Sequence, residues 1–139
     1  MFVGKTAVGT GAGRGVGHAV AVLLAYGGAS VKYMINELTQ ETTGENTSFR
    51  GVAKAWAADV SIFEEIQKMV AQTLMQFETI DILVISTGIL GDTVVLEGIS
   101  AMERDSLVVT NVKDVFSSTK AVLPTMKYRL YGKIINVSS

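Results

Sequence analysis

Short apolar runs alternate with segments of helical periodicity along most of this chain of 139 residues. Alternating strands and helices are the pattern of successive β-α units, whose strands lie parallel. Because crossovers between parallel strands are right-handed, such a series predicts a doubly wound α/β fold. We predict five strands, at residues 5–9, 29–35, 52–57, 80–86 and 133–137.

The first connection between these strands has a clear helical pattern, and the second does not. The first predicted helix begins at Gly17 and ends at the glycine pair Gly27-Gly28, because glycine favours helix termination. Residues 39–50 stand where a crossover helix belongs, but they are rich in Thr, Asn, Ser and Gly, so we predict a short or irregular helix. The predicted apolar face of the first helix consists of Val16, Val20, Leu23 and Leu24.

Two later helices each follow a capping box, in which a Ser and the Glu three residues later satisfy each other's backbone N–H groups. One box is Ser61 with Glu64, and the other is Ser100 with Glu103. After the first box, residues at helical spacing are Ile66, Met69, Val70, Thr73, Leu74 and Phe77. After the second, a long helix runs toward Pro124 with a stripe made of Val108, Val112, Val115, Phe116, Thr119 and Leu123.

The composition argues against several classes of function. With 12 Lys and Arg against 13 Asp and Glu, the chain has no basic field for nucleic acid or anionic lipid. It has no cysteine and one histidine, His18, which argues against a disulfide framework or a metal centre. Its longest apolar stretch, residues 19–26, is too short to span a bilayer, and we see no signal peptide. We expect a cytoplasmic protein that binds a small molecule, with neither nucleic acid nor membrane as a partner.

A glycine-rich segment connects the first strand to the first helix. Glycines let the backbone turn sharply and approach a pyrophosphate, whose charge the free N–H groups of a helix N-terminus stabilise. The spacing is T-G-x-x-x-G-x-G rather than G-x-G-x-x-G, since position 16 is Val; a plain tight connection is the alternative. The predicted phosphate-binding residues are Thr10, Gly11, Gly13, Arg14, Gly15, Val16 and Gly17.

Polar residues also follow the later strands, at the edge of a parallel sheet where ligands bind. Asp59-Val60 follows the third strand, and Ser86-Thr87-Gly88 follows the fourth. Strand five ends in I-I-N-V-S-S, whose last residue is Ser139, and the long helix contains Asn111 beside its apolar stripe. A buried Asn needs a hydrogen-bond partner, so Asn111 is either an internally satisfied core residue or part of a site.

Together these segments resemble the short-chain dehydrogenases/reductases, whose motifs include T-G-x-x-x-G-x-G and I-x-N-x-S-S. The resemblance implies a Rossmann-type sheet of strand order 3-2-1-4-5, with residues 1–139 forming an NAD(P)-binding domain. It implies that Asp59 and the backbone at Val60 contact the adenine, and that Ser86 and Gly88 lie at the coenzyme ribose. By the same resemblance, Ser139 polarises the substrate carbonyl and Asn111 holds a water of the proton relay.

The match departs from the family in two places. After the fourth strand the family usually has N-N-A-G, whereas this chain has I-S-T-G, so only Gly88 agrees. The family also places a catalytic Tyr four residues before a Lys, and no Tyr of this sequence has Lys at that position. We therefore expect a domain truncated before this Tyr-Lys pair, inactive alone and left with an exposed apolar edge at strand five.

The resemblance implies NAD(P)(H) as the coenzyme. Arg14 slightly favours a 2'-phosphate, hence NADP(H), although a solvated loop charge is equally consistent with its position. At the end of strand two, where NAD-dependent relatives place an acid on the ribose, Ile35, Asn36 or Glu37 occupies the position, and we take Asn36 as the candidate. The family also implies a dimer or tetramer, built partly on the long helix.

Several short sequence segments point to one group within this family. D-I-L-V from Asp81, T-K-A-V from Thr119 and G-K-I-I-N from Gly132 are similar to 3-oxoacyl-[acyl-carrier-protein] reductases, which act in fatty acid biosynthesis. The predicted substrate is therefore a carbonyl, secondary alcohol or acyl thioester. A small alcohol or polyol dehydrogenase, or a dinucleotide-binding relative without catalysis, are the alternatives.

Overall fold

The computed structural model describes residues 1–35, 51–88 and 98–138. The predicted crossover helix at 39–50 lies outside the described residues. The elements in chain order are β1 (Thr6–Thr10), α1 (Gly15–Tyr26), β2 (Ser30–Ile35), β3 (Ala53–Ala57), α2 (Phe63–Phe77), β4 (Ile82–Ile85), α3 (Ala101–Tyr128) and β5 (Lys133–Asn136).

The five strands form one parallel sheet in the order β3-β2-β1-β4-β5. Val8 in the middle of β1 pairs with Lys32 of β2 on one side and with Leu83 of β4 on the other. The predicted α/β class and strand order are thus confirmed. The order reverses between β1 and β4, and the carboxyl ends of these strands form the crevice where such sheets bind ligands.

Alternate residues of each strand face opposite sides of the sheet, which gives two cores. Val8, Met34 and Leu83 pack against α2 and α3, in one cluster with Ile66 of α2 and Val122 of α3. The other side packs against α1, through the cluster of Ala7, Val31, Tyr33, Val84, Ala21 and Leu24. Helices on both faces explain why the strands are almost continuously apolar.

Helix α1 begins at Gly15 rather than Gly17, and the predicted apolar face is partly wrong. Val16 is 58% exposed and Leu23 is 65% exposed. The residues that face the sheet are mostly small, because α1 lies close to the strands at a spacing that larger side chains would prevent. They are Gly17, Ala21, Leu24 and Ala25.

The predicted capping box of α2 is wrong, although the apolar series that follows it is confirmed. The N-cap is Ile62, and no side chain caps the first turn. Glu65 Oε2 instead accepts a hydrogen bond of 2.6 Å from the backbone N–H of Asp59, one turn before the helix. The buried residues of α2 are Ile66, Met69, Val70 and Thr73, as the spacing predicts.

The capping box of α3 is confirmed. The backbone N–H of Ser100 donates to Glu103 Oε2 at 2.7 Å, and that of Glu103 donates to Ser100 Oγ at 3.1 Å. The helix continues past Pro124 to Tyr128, because a proline near the end costs one hydrogen bond while Met126, beyond it, is buried.

The apolar stripe of α3 mostly faces away from the sheet. Val112 is 60% exposed and Phe116 is 64% exposed. The buried side of the helix consists of Asp114, Ser117, Ser118, Val122 and Met126, of which three are polar. The stripe is therefore available to a partner surface, and small polar residues lie against the carboxyl ends of the strands.

Strand β5 forms one edge of the sheet, and all four of its residues are exposed. At the amino end of β4, the buried Asp81 accepts a 2.9 Å hydrogen bond from the N–H of Thr6, and Lys5 lies 3.5 Å away. These contacts explain the one charge in this apolar run. No helix in the described part of the chain is long and apolar enough to cross a bilayer.

Candidate functional site

The turn between β1 and α1 needs glycine at two positions for its backbone shape. Gly11 has φ +63° and Gly15 has φ +60°, a left-handed conformation that costs other residues roughly 1–2 kcal/mol. The turn lies at the carboxyl end of β1, where Thr10 pairs with Ile85 of β4. The glycine-rich segment thus stands at the crevice where the strand order reverses.

A very close approach of three backbone segments fixes this turn. A Cβ atom on Gly11 would lie 2.6 Å from the carbonyl oxygen of Ser86, and one on Gly17 would overlap the carbonyl oxygen of Gly11. The same Cβ on Gly17 would lie 3.1 Å from Ser86 Cβ. The first turn of α1 therefore packs directly on the turn and on the loop after β4, as only glycine permits.

The outer side of the turn is open. Gly13, Arg14, Gly15 and Val16 are exposed, and a Cβ on Gly15 would have no described heavy atom within 4 Å. Arg14 is the N-cap of α1 in an extended conformation, and its side chain makes no capping hydrogen bond to the described first turn. The first N–H groups of a helix have no partner within it, so this end can accept an anion.

The loop after β3 presents an ionised carboxylate beside the same edge. Asp59 is exposed, and its Oδ1 accepts a 2.8 Å hydrogen bond from the N–H of Ser61. Hydrogen bonds from the side chain and backbone of Ser61 lower the pKa of Asp59, and the charge of Lys113 adds to this. The side chain of Val60 is buried in the core, so only its backbone can contact a ligand.

The loop after β4 meets α3 at the predicted relay residue. Ser86 is half-buried and Gly88 is exposed. A Cβ on Gly88 would lie 3.7 Å from the side-chain oxygen of Asn111. The structure therefore brings Asn111 to the carboxyl end of β4, beside the turn of β1, while the candidates Asn36 and Ser139 lie outside the described residues.

Sequence reasoning missed one residue of this cluster, Asp114 of α3. Its side chain is 1% exposed; Oδ2 accepts a 2.8 Å hydrogen bond from Thr10 Oγ1, and Oδ1 accepts a 2.6 Å bond from Ser118 Oγ. Burial raises the pKa of Asp114, and the hydroxyls of Ser118, Thr10 and Thr87 oppose the rise. An Asp opposite an apolar helix stripe is ordinarily interpreted as solvated, so the sequence carried no sign of this role.

Thr87 adds a further hydroxyl to this group. Its Oγ1 is buried and makes no well-formed hydrogen bond with a described residue. It lies near enough to the Asp114 carboxylate to lower the pKa of that group, at a geometry short of a full hydrogen bond. Three hydroxyls thus surround one buried carboxylate below the glycine-rich turn.

Comparison with known proteins agrees with this geometry. Residues 5–139 match the family described as short chain dehydrogenase. The chain belongs to this family. Among curated short-chain dehydrogenases, the 3-oxoacyl-[acyl-carrier-protein] reductase of Staphylococcus epidermidis is 33% identical over 138 residues, which are 97% of this chain and 56% of that protein. The Chlamydia trachomatis reductase of the same name is also 33% identical, covering 100% of this chain and 57% of that protein.

Solved structures of short-chain dehydrogenases agree as well. Levodione reductase superposes with a TM-score of 0.89 at 28% identity, covering 100% of this chain and 55% of that one. NAD+-bound xylitol dehydrogenase gives a TM-score of 0.88 at 27% identity, covering 99% and 54%. The chain thus spans little more than half the length of these relatives.

Proposed function

We propose that this chain is the dinucleotide-binding domain of an NAD(P)(H)-dependent short-chain oxidoreductase. The uncapped N-terminus of α1, beside the open space over Gly15, is the observation that carries the proposal. When bound, the coenzyme supplies or accepts a hydride, which interconverts a carbonyl and a secondary alcohol. The residues described below would bind it and position the substrate.

The glycine-rich turn would hold the pyrophosphate. Gly15 and Val16 at the start of α1 are exposed, and a Cβ on Gly15 would meet no described heavy atom within 4 Å, so a phosphate can approach the N–H groups of this helix end closely. Gly11 and Gly17 would keep these groups in place through their contact with each other and with Ser86. Gly13 would complete the cradle above the buried Thr10, with the exposed Val16 at its rim.

Side chains at the other strand ends would bind the rest of the coenzyme. The low pKa of Asp59 keeps its carboxylate ionised, as an acceptor for the exocyclic amino group of adenine. Ser86 and Gly88 would lie at the ribose next to the nicotinamide, and Asn36 would lie at the adenosine ribose. Asp59, Ser86 and Gly88 lie after the carboxyl ends of β3 and β4, on the same side of the sheet as the glycine-rich turn after β1.

The catalytic roles assigned by family resemblance fall on Ser139 and Asn111. Ser139 would donate a hydrogen bond to the substrate carbonyl oxygen, and Asn111 would hold a water that passes a proton. The position of Asn111 beside Gly88 supports this role. Because residues 1–139 contain no Tyr followed by Lys at the family spacing, we propose that they bind coenzyme but do not themselves catalyse hydride transfer.

We propose a 3-oxoacyl thioester as the substrate and NADPH as the preferred reductant. The 33% identity to 3-oxoacyl-[acyl-carrier-protein] reductases supports the substrate. The exposed Arg14 at the N-cap of α1 is free to approach a 2'-phosphate, which supports the coenzyme. The structural likeness to NAD+-bound xylitol dehydrogenase favours one alternative, a polyol dehydrogenase that uses NAD.

We also propose that the protein assembles as a homodimer or homotetramer through α3. The exposed stripe of this helix lines a broad groove, flanked by Lys120 and Lys127, and so large an apolar surface on a helix normally meets a partner. Its apolar residues are Val112, Val115, Phe116, Leu123 and Pro124.

A substrate panel with the full-length protein tests the proposed reaction. Oxidation of NADPH by an acetoacetyl thioester, followed by the absorbance of the reduced nicotinamide, supports the reductase. Reduction of NAD by xylitol without thioester turnover supports the polyol dehydrogenase. Coenzyme binding without turnover of either substrate class would favour the non-catalytic relative.

A further inference from the structure

The buried carboxylate of Asp114 connects two parts of the coenzyme site that are far apart in sequence. Asp114 lies in the middle of α3, and its partner Thr10 is the last residue of β1, 104 positions earlier. The next residue, Gly11, is the first of the glycine-rich turn and has φ +63°. The hydrogen bond therefore attaches α3 to the base of the turn.

The same helix carries the relay residue one turn earlier. Asn111 precedes Asp114 by three residues, which is about 4.5 Å along a helix axis. Asn111 lies against Gly88, and Thr87 beside it places a buried hydroxyl near the Asp114 carboxylate. A displacement of Asp114 would therefore change its contacts with both the glycine-rich turn and the loop after β4.

Burying a carboxylate costs free energy that hydrogen bonds must offset. Thr10 bonds to one carboxylate oxygen and Ser118 to the other. The bond to Ser118 stays within α3, four residues apart, whereas the bond to Thr10 crosses to the sheet. The two carboxylate oxygens therefore have separate roles. Oδ1 holds the side chain to its own helix, and Oδ2 holds the glycine-rich turn.

We infer that Asp114 is a positioning residue of the coenzyme site, which fixes the phosphate-binding turn to α3 through Thr10 and so aligns the turn with Asn111. The inference rests on the proposed binding of a nicotinamide coenzyme. Because Asp114 is 1% exposed, it would act on a bound coenzyme through the hydroxyl of Thr10 rather than by direct contact. Its removal should weaken coenzyme binding rather than only stability.

The test measures coenzyme affinity by calorimetry on the full-length protein, with thermal melting recorded separately. We expect Asp114→Ala, which leaves no side-chain acceptor for Thr10, and Thr10→Val each to raise the coenzyme Kd about five- to tenfold. The double variant should bind no more weakly than either single one, because both remove the same connection. If Asp114→Ala does not fold, Thr10→Val carries the test together with Thr10→Ser, which keeps the hydroxyl that bonds to Asp114 and should retain the wild-type Kd.

Two control variants separate positioning from general stability. Ser118→Ala removes the other hydroxyl from the same carboxylate, and Thr73→Val removes a buried hydroxyl that bonds only within α2. Both should lower the melting temperature and leave the coenzyme Kd within about twofold of wild type.

Unchanged affinity in Thr10→Val, or equal weakening in Thr73→Val, would overturn the inference while leaving the proposed function intact. A wild-type protein that binds no nicotinamide coenzyme would overturn both. The two failures are therefore distinguishable in one set of titrations.

Discussion

Gly17 lies so close to Gly11 that a Cβ atom on Gly17 would overlap the carbonyl oxygen of Gly11. The first turn of α1 is thereby packed on the residue that starts the glycine-rich turn. This contact depends directly on the absence of a side chain at position 17. Substitutions at Gly17 and at Gly15 therefore test two different properties of the turn.

Gly17→Ala should destabilise the protein by about 1–3 kcal/mol, because the added methyl group meets backbone that has no room to move. It should also displace the N–H groups at the start of α1 and weaken coenzyme binding. Urea denaturation and calorimetric titration measure the two effects. Wild-type stability together with wild-type affinity would mean that the close approach is not maintained in solution.

Gly15→Ala should affect the site differently, because Gly15 has open space around it and a positive φ. Left-handed backbone strain costs about 1–2 kcal/mol, and the methyl group would occupy the space proposed for the phosphate. Gly4→Ala is the matched control, since Gly4 has φ +74°, equally open surroundings and no place in the site. Both variants should lose similar stability, and only Gly15→Ala should lose affinity; equal affinities would contradict the assignment of the turn.

Stability should depend on pH through Asp114. Burial raises the pKa of its carboxyl above the value of about 3.9 of an unfolded Asp. The stabilising contribution is complete below that unfolded pKa and is lost as pH rises through the folded pKa. The stability of wild type relative to Asp114→Asn should therefore fall from pH 4 upward, which urea denaturation at a series of pH values measures.

Asp59→Asn is a control for this pH series, because the pH dependence expected for it has the opposite sign. Hydrogen bonds from Ser61 lower the pKa of Asp59, so its contribution is present at neutral pH and is lost as pH falls through its folded pKa. Because Asp59 is exposed, solvent screens the effect and the slope should be shallow. Slopes of the same sign for the two variants would contradict the assigned burial of Asp114.

The two Ser-x-x-Glu segments should respond differently to mutation. Ser100→Ala removes the cap of α3 and should cost about 1 kcal/mol. Ser61→Ala should cost less than half of that, because Ser61 does not cap α2. Urea midpoints of the two variants check this, and equal losses would mean that α2 also has a capping box.

The exposed stripe of α3 gives a prediction about assembly. Val112→Glu should dissociate the proposed oligomer without unfolding the protomer, since Val112 contacts solvent in the isolated chain. Met75→Glu, on the exposed side of α2, should leave the elution volume of the full-length protein unchanged. Identical elution of Val112→Glu and wild type would exclude the stripe from the interface.

The strands were predictable because each one is marked by a run of neighbouring apolar residues. Continuous apolar runs between helical segments indicate a parallel, doubly wound sheet, and the strand order came from the resemblance to the short-chain dehydrogenases. The apolar spacing of α2 and the capping box of α3 were predictable for the same reason: each depends on residues within one or two helical turns.

The errors arose where packing between distant segments decides the outcome. The buried face of α1 differs from the prediction because Gly17 and Ala21 allow a close approach that larger residues, such as Leu23, would block. Asp114 was missed because its partner Thr10 lies 104 residues away, and only the folded sheet brings the two together. The glycine-rich turn between β1 and α1 was predictable, whereas the carboxylate below it was not.

Calorimetric titration of the full-length protein with NAD+, NADH, NADP+ and NADPH tests the proposed coenzyme site most directly. We expect saturable binding of at least one coenzyme at one site per chain, weakened in Gly17→Ala and retained in Gly4→Ala. Absence of binding heat for all four coenzymes, in a sample that melts cooperatively, would contradict the proposed site.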